Sequence, residues 1–174
     1  MSSQKSSDSD EKCERPAGGR RPTVARAALL VLCAYCLFIG FTAAALPHTF
    51  YDDFPFLAHW VERLPPYNEH LVSDVGGLYL GFAVVTGIAA WRPERLLVVA
   101  ACAGFLAVSV PHLLFHVTHL DGFGTVDGAA EIAALTSLLI PPCLALWASA
   151  DRRLSQDPSA ARRRGGSSRR SASC

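Results

Sequence analysis

Four long apolar stretches, separated by short polar ones, run along the chain. The first extends from about Val24 to Leu46 with no charge beyond Arg26, the second from Asn68 to Trp91, the third from Leu96 to His119 and the fourth from Asp127 to Ala150. At about 1.5 Å per residue, each reaches across a hydrocarbon core of about 30 Å. The apolar positions go all the way round these segments, and a chain of 174 residues has no interior large enough to hide four such helices. The pattern therefore predicts an all-α fold, a four-helix transmembrane bundle whose first partner is the lipid bilayer. Its expected organisation is a disordered tail over 1–22, a membrane domain over 23–152 with helices at about 24–46, 68–91, 96–119 and 127–150, and a disordered basic tail over 153–174. The first stretch, with about twenty apolar residues, is longer than the usual 7–15 of a cleaved signal peptide and is read as a retained helix.

The outer-loop pattern differs from both the helices and the tails. Between Pro47 and Tyr67, aromatics mix with Asp52, Asp53, Glu62 and Arg63, and Phe56, Leu57, Trp60 and Val61 fall at helical spacing. This predicts a short amphipathic interfacial helix in the first outer loop, ended by Pro65-Pro66. Asn68 is expected to cap the second long helix, with Glu69 favouring its N-terminal dipole.

Charge then orients the bundle. Fifteen of the sixteen Lys and Arg residues lie in the two tails, at the start of the first stretch or in the turn at Arg92 and Arg95, and only Arg63 falls in the other loops. The positive-inside rule makes that side cytoplasmic, so the expected topology is N-in/C-in, multi-pass, with both termini cytoplasmic. The arginine-rich tail beside a membrane is read as touching lipid headgroups or setting orientation, with no nucleic-acid role.

Histidine placement carries the candidate chemistry. All six histidines fall in the predicted outer half, and Asp74 and Glu131 join them inside helices, where ionisable groups are rare and usually functional. Counting up from Trp91, Leu96 and Trp147 puts Asp74, His112 and Glu131 at a common depth of about 24–26 Å, with His70, His116 and Asp127 one turn further out. His70 and Asp74 are one turn apart, as are Asp127 and Glu131, and His112, His116 and His119 share one face. The candidate metal set is therefore His70, Asp74, His112, His116, His119 and Glu131. Imidazole with carboxylate suits Zn, Fe or Mn, and two histidines from different helices also suit a haem. A structural cluster of hydrogen-bonded polar groups and a proton or ion path are the competing readings.

Other residues change the picture less. Cys33-x-x-Cys36 would resemble the redox pair of four-helix thiol oxidoreductases such as vitamin K epoxide reductase, but the outer loops hold no cysteine to relay electrons. Both cysteines are expected to be packing residues, in mid-bilayer where a thiolate is disfavoured. Pro111 and Pro141-Pro142 predict kinks in the third and fourth helices, and Gly77-x-x-x-Gly81 predicts a close helix contact.

The run from Asn68 to Gly81, with Gly76-Gly77-Leu78-Tyr79 at its centre, followed by Trp91-Arg92-Pro93-Glu94-Arg95, resembles the second helix and turn of DoxX-like proteins. These are small four-helix bacterial membrane proteins. The resemblance covers about a third of the chain and implies a bacterial plasma membrane and a role as partner subunit in a membrane oxidoreductase complex. It carries over no site residue. Three function classes stay open: a membrane protein with a metal- or haem-capable outer site, a non-catalytic subunit bound to a membrane protein partner or to its own copies, and a proton or ion path.

Overall fold

The computed structural model describes residues 20–63 and 66–150. It is helical, with no strand among the described residues: α1 Arg20–Ala45, α2 Pro47–Asp53, α3 Glu69–Trp91, α4 Arg95–Thr118, α5 Thr125–Ser137 and α6 Ile140–Ala150. Four segments are long and apolar enough to cross a membrane: Pro22–Ala45, Glu69–Trp91, Arg95–Thr118 and Thr125–Ala150, the last made of α5 and α6 together. Large apolar side chains such as Val31, Phe41, Val84, Ile88 and Leu114 are exposed on the outside of the bundle. In water such a surface would be a liability, and in a bilayer it is the surface that lipid wets. The architecture fits a multi-pass membrane protein. The tails expected to be disordered lie outside the described residues, except that α1 begins at Arg20, a turn before the expected start at Val24.

The principal contact of the bundle is α1 against α3, with α6 packing on α1 and α4, and α4 on α3. Glycine makes the α1–α3 approach possible at two points. A Cβ on Gly76 would collide with the backbone and side chain of Ala44, and one on Gly40 would come within 2.8 Å of the Leu80 backbone nitrogen. The expected pair, Gly77 and Gly81, has nothing within 4 Å of a Cβ. The sequence therefore holds the right kind of motif one residue out of register, and the close contact runs through Gly76. The interior face of α3 follows from this: Gly76, Tyr79, Ala83, Thr86 and Ala90 recur at helical spacing and are buried. At the end where α3 meets α4, Arg26 reaches from α1 to the Ala90 carbonyl at 2.9 Å and the Trp91 carbonyl at 3.4 Å. A guanidinium at a helix C-terminus meets both the free carbonyls and the negative end of the dipole.

Asn68 caps α3 as its sequence position predicts, its Oδ1 accepting from the Leu71 amide at 3.1 Å. The two proline sites differ in their effect on helix continuity. α4 continues through Pro111 without a break. The fourth stretch instead separates into α5 and α6 at Leu138–Leu139, where Pro141 and Pro142 cannot donate to the carbonyls one turn back. The chain there tightens into shorter bonds, Leu138 N to Leu135 O at 3.3 Å and Leu139 N to Thr136 O at 3.1 Å. The helix in the first loop is also displaced from its expected place. It spans Pro47–Asp53, with Pro47 at the first turn where its missing N–H costs nothing. Phe56, Leu57 and His59 have φ of 47°, 66° and 57°, left-handed values that exclude a right-handed helix over the expected run. This turn lays Phe56 down along α1, where its ring stacks on Phe38 at 6.1 Å.

Candidate functional site

The loop end of the bundle encloses a cavity of about 540 Å³ between α1, α3, α4, α5 and the segment from Phe50 to Asn68. Its floor is an aromatic cluster. Tyr35 of α1 and Tyr79 of α3 meet edge to face at 5.9 Å, and each meets Phe105 of α4, at 6.5 and 6.4 Å. Edge-to-face pairs of this kind contribute about 0.5–1.5 kcal/mol each beyond the area they bury. Phe54 and Trp60 of the loop form part of its wall at the loop end. Most of the remaining wall is aliphatic, with Ile39, Val75, Leu135 and Leu138 among its members.

The polar groups gather on the α4–α5 side. His116 Nδ1 lies 2.7 Å from Glu131 Oε1, and the residues are 6% and 2% exposed. The approach is close but is not aligned as a hydrogen bond, and both Nδ1 of His116 and Oε2 of Glu131 are buried without a hydrogen-bond partner. A buried polar atom in that state costs about 1–3 kcal/mol until something satisfies it. His112 stands one turn below His116 on the same face of α4, ring centroids 4.5 Å apart, and is itself exposed at the cavity rim. α4 and α5 deliver these three side chains because α5 packs chiefly on α4. Gly128 of α5 lies against the loop that joins the two helices, where a Cβ would sit 3.5 Å from Leu120 and Phe123.

The other candidates are placed elsewhere. His70 and Asp74 pair with each other at 3.5 Å, their side chains 87% and 65% exposed on α3, and neither lines the cavity. His119 ends α4, its Nδ1 within 2.9 Å of the Phe115 carbonyl and 3.0 Å of Thr118 Oγ1, and its ring stacks on Phe115 at 4.0 Å. Asp127 pairs with Arg63 at 2.9 Å, and the Arg63 guanidinium also sits 5.1 Å over the Phe123 ring. Arg63 thus ties the first loop to the start of α5. Among the described residues, no three His, Cys, Asp or Glu side chains gather as a ready metal set. The side chains nearest to one are His112, His116 and Glu131. Cys36 is fully buried in the core with Leu32 and Ile39, and Cys33 Sγ donates to the Ala83 carbonyl at 3.3 Å.

The sequence reading missed Tyr35, Tyr79 and Trp60 as wall residues. Trp60 Nε1 is a further buried donor without a partner. A mid-helix tyrosine facing an apolar interior is the one signal that pointed to the floor, because its hydroxyl needs a polar neighbour. No protein-family model, curated protein or solved structure matches this chain.

Proposed function

We propose that this chain is a bacterial plasma-membrane protein, with both termini cytoplasmic, that binds a small molecule in its outer-half cavity against His112, His116 and Glu131. One observation carries the reading: a nearly fully buried carboxylate faces a buried imidazole in the wall of a ligand-sized cavity, and one polar atom of each lacks a hydrogen bond. Cavities of about 300–1,000 Å³ with mainly apolar walls and a few convergent polar groups are the usual form of small-molecule sites. Within the pair, His116 and Glu131 are close enough to exchange a proton with each other and with a group held between them. The chemistry available is therefore binding coupled to proton transfer.

Native mass spectrometry of the full chain released from lipid nanodiscs tests this. The wild type should retain a bound mass beyond phospholipid, and the double variant His116→Leu with Glu131→Leu should lose it. Replacing both polar partners by apolar groups of similar size can leave stability nearly unchanged, so the comparison reads binding rather than unfolding. Identical adducts on both proteins would refute the site.

Two other readings have an observation each. His112, His116 and Glu131 are three donors of a kind that suits Zn, Fe or Mn, and metal analysis of purified protein decides that case. A subunit role, which the DoxX-like resemblance implies, is favoured by the open face of α3, where Gly77 and Gly81 meet nothing within 4 Å below the exposed His70–Asp74 pair. Cysteine cross-linking at Gly77 would report a helix seated there.

A further inference from the structure

We infer that the cavity takes an uncharged amphiphile from the bilayer itself, with a hydrocarbon body and a single hydroxyl head, admitted sideways between α3 and α5. This rests on the reading of His116 and Glu131 as a ligand site and names what that site takes.

The direction of access follows from the rim. Leu71 and Leu78 of α3 are 61% and 46% exposed, and Ala134 of α5 is exposed, yet all three also form part of the cavity wall. They therefore stand at a mouth that opens through the side of the bundle, within segments of membrane-spanning length and composition. α5 leaves this gap because it leans on α4 and is parted from α6 at Leu138–Leu139. At the loop end Phe54 and Trp60 are half-buried in the wall and Pro66 and Asn68 are exposed, in a loop tied to α5 through Arg63 and Asp127, so the side rim of Leu71, Leu78 and Ala134 is the apolar one. A ligand coming through the side mouth crosses hydrocarbon, so it arrives uncharged.

The head group follows from the polar atoms. Glu131 Oε2 is an acceptor with no donor, 2% exposed in its residue and in the cavity wall. It calls for an O–H or N–H from the ligand. A carboxylate or phosphate head would be an anion in a largely apolar wall, and no Lys or Arg among the described residues lines the cavity to compensate. A hydroxyl donates to Oε2 and can accept in turn from the imidazole of His116 or the indole N–H of Trp60, whose Nε1 also lacks a partner. The aliphatic and aromatic remainder of the wall accommodates the hydrocarbon body.

The test uses the full chain in nanodiscs with three photoreactive diazirine probes: a hexadecanol, the matching palmitic acid, and a short water-soluble alcohol. The hexadecanol should label Val75, Leu135 or Leu138 and be displaced by unlabelled hexadecanol. The acid should label these positions about tenfold less, the scale expected for losing one hydrogen bond. Ala134→Trp fills the mouth while keeping the His116 and Glu131 side chains, and should cut cavity labelling by the hexadecanol. Leu78→Trp does the same from α3 should the first variant fail to fold. Equal labelling by acid and alcohol overturns the head-group assignment. Labelling by the short alcohol that survives both Trp variants overturns the lateral route while leaving the pair as a ligand site. Label confined to Val84, Val85 and Ile88 on the outer face of α3, with none in the cavity, defeats this inference and the ligand-site reading together.

Discussion

Gly76 and Gly77 are neighbours in sequence and differ in surroundings, so the same substitution should leave the Gly76 variant less stable than the Gly77 variant. At Gly76 the added Cβ meets Ala44 Cα and Cβ at 2.8 Å and crowds the Ala44 nitrogen. Two of these three atoms are backbone, so relief requires α1 and α3 to move apart rather than one side chain to turn. Forcing an extra carbon into a packed contact typically costs about 1–3 kcal/mol. At Gly77, about 100° round the helix, a Cβ meets nothing within 4 Å. Gly77→Ala therefore keeps only the helix-propensity gain, about 0.8–1 kcal/mol. Gly76→Ala carries the same propensity gain, so the two variants should differ by the steric term alone, about 1–3 kcal/mol. The assay is reversible unfolding of the monomer in mixed micelles by titration with a denaturing detergent, followed by far-UV circular dichroism. A Gly77→Ala variant less stable than Gly76→Ala would refute the register of the α1–α3 contact. The cavity wall formed by Val75 and Tyr79 would then have to be rebuilt.

Three further outcomes are expected. Glu131→Gln should unfold at nearly the wild-type denaturant concentration while Glu131→Leu falls by about 1–3 kcal/mol, because Leu strands the buried His116 ring; equal stability of the two would separate Glu131 from His116. Reporter fusions after Arg92 and Ser149 should report cytoplasm and those after Asp53 and Gly122 the outside, and an outward signal at Arg92 would overturn the proposed topology. Arg63→Ala should cost no more than about 1 kcal/mol, since the Arg63–Asp127 pair is partly exposed. It should nevertheless speed proteolysis in the loop before Asn68, and unchanged cleavage would show that this pair does not hold that loop.

The sequence by itself determined the number, position and length of the spans, because bilayer thickness sets a length that apolar runs must meet. The same count along each helix put His112 and Glu131 at a common depth and His116 one turn further out. It also determined local ends whose chemistry is self-contained, such as the Asn68 cap. What counting could not supply is the rotation of each helix about its own axis. Asp74 lies about 160° round α3 from Gly76, so once Gly76 seats against Ala44 the His70–Asp74 pair points out of the bundle. Had Gly77 and Gly81 made that contact, α3 would be turned by about 100° and its polar stripe would face elsewhere. The tertiary structure alone decided which of two adjacent glycines carries the contact, and with it which ionisable groups meet. It likewise decided that the double proline, rather than Pro111, parts a helix, and so where α5 swings free to open a cavity beside Glu131. The physical reason is that depth is a one-dimensional property fixed by hydrophobic length, whereas azimuth is settled by the steric fit of two surfaces, which no single helix contains.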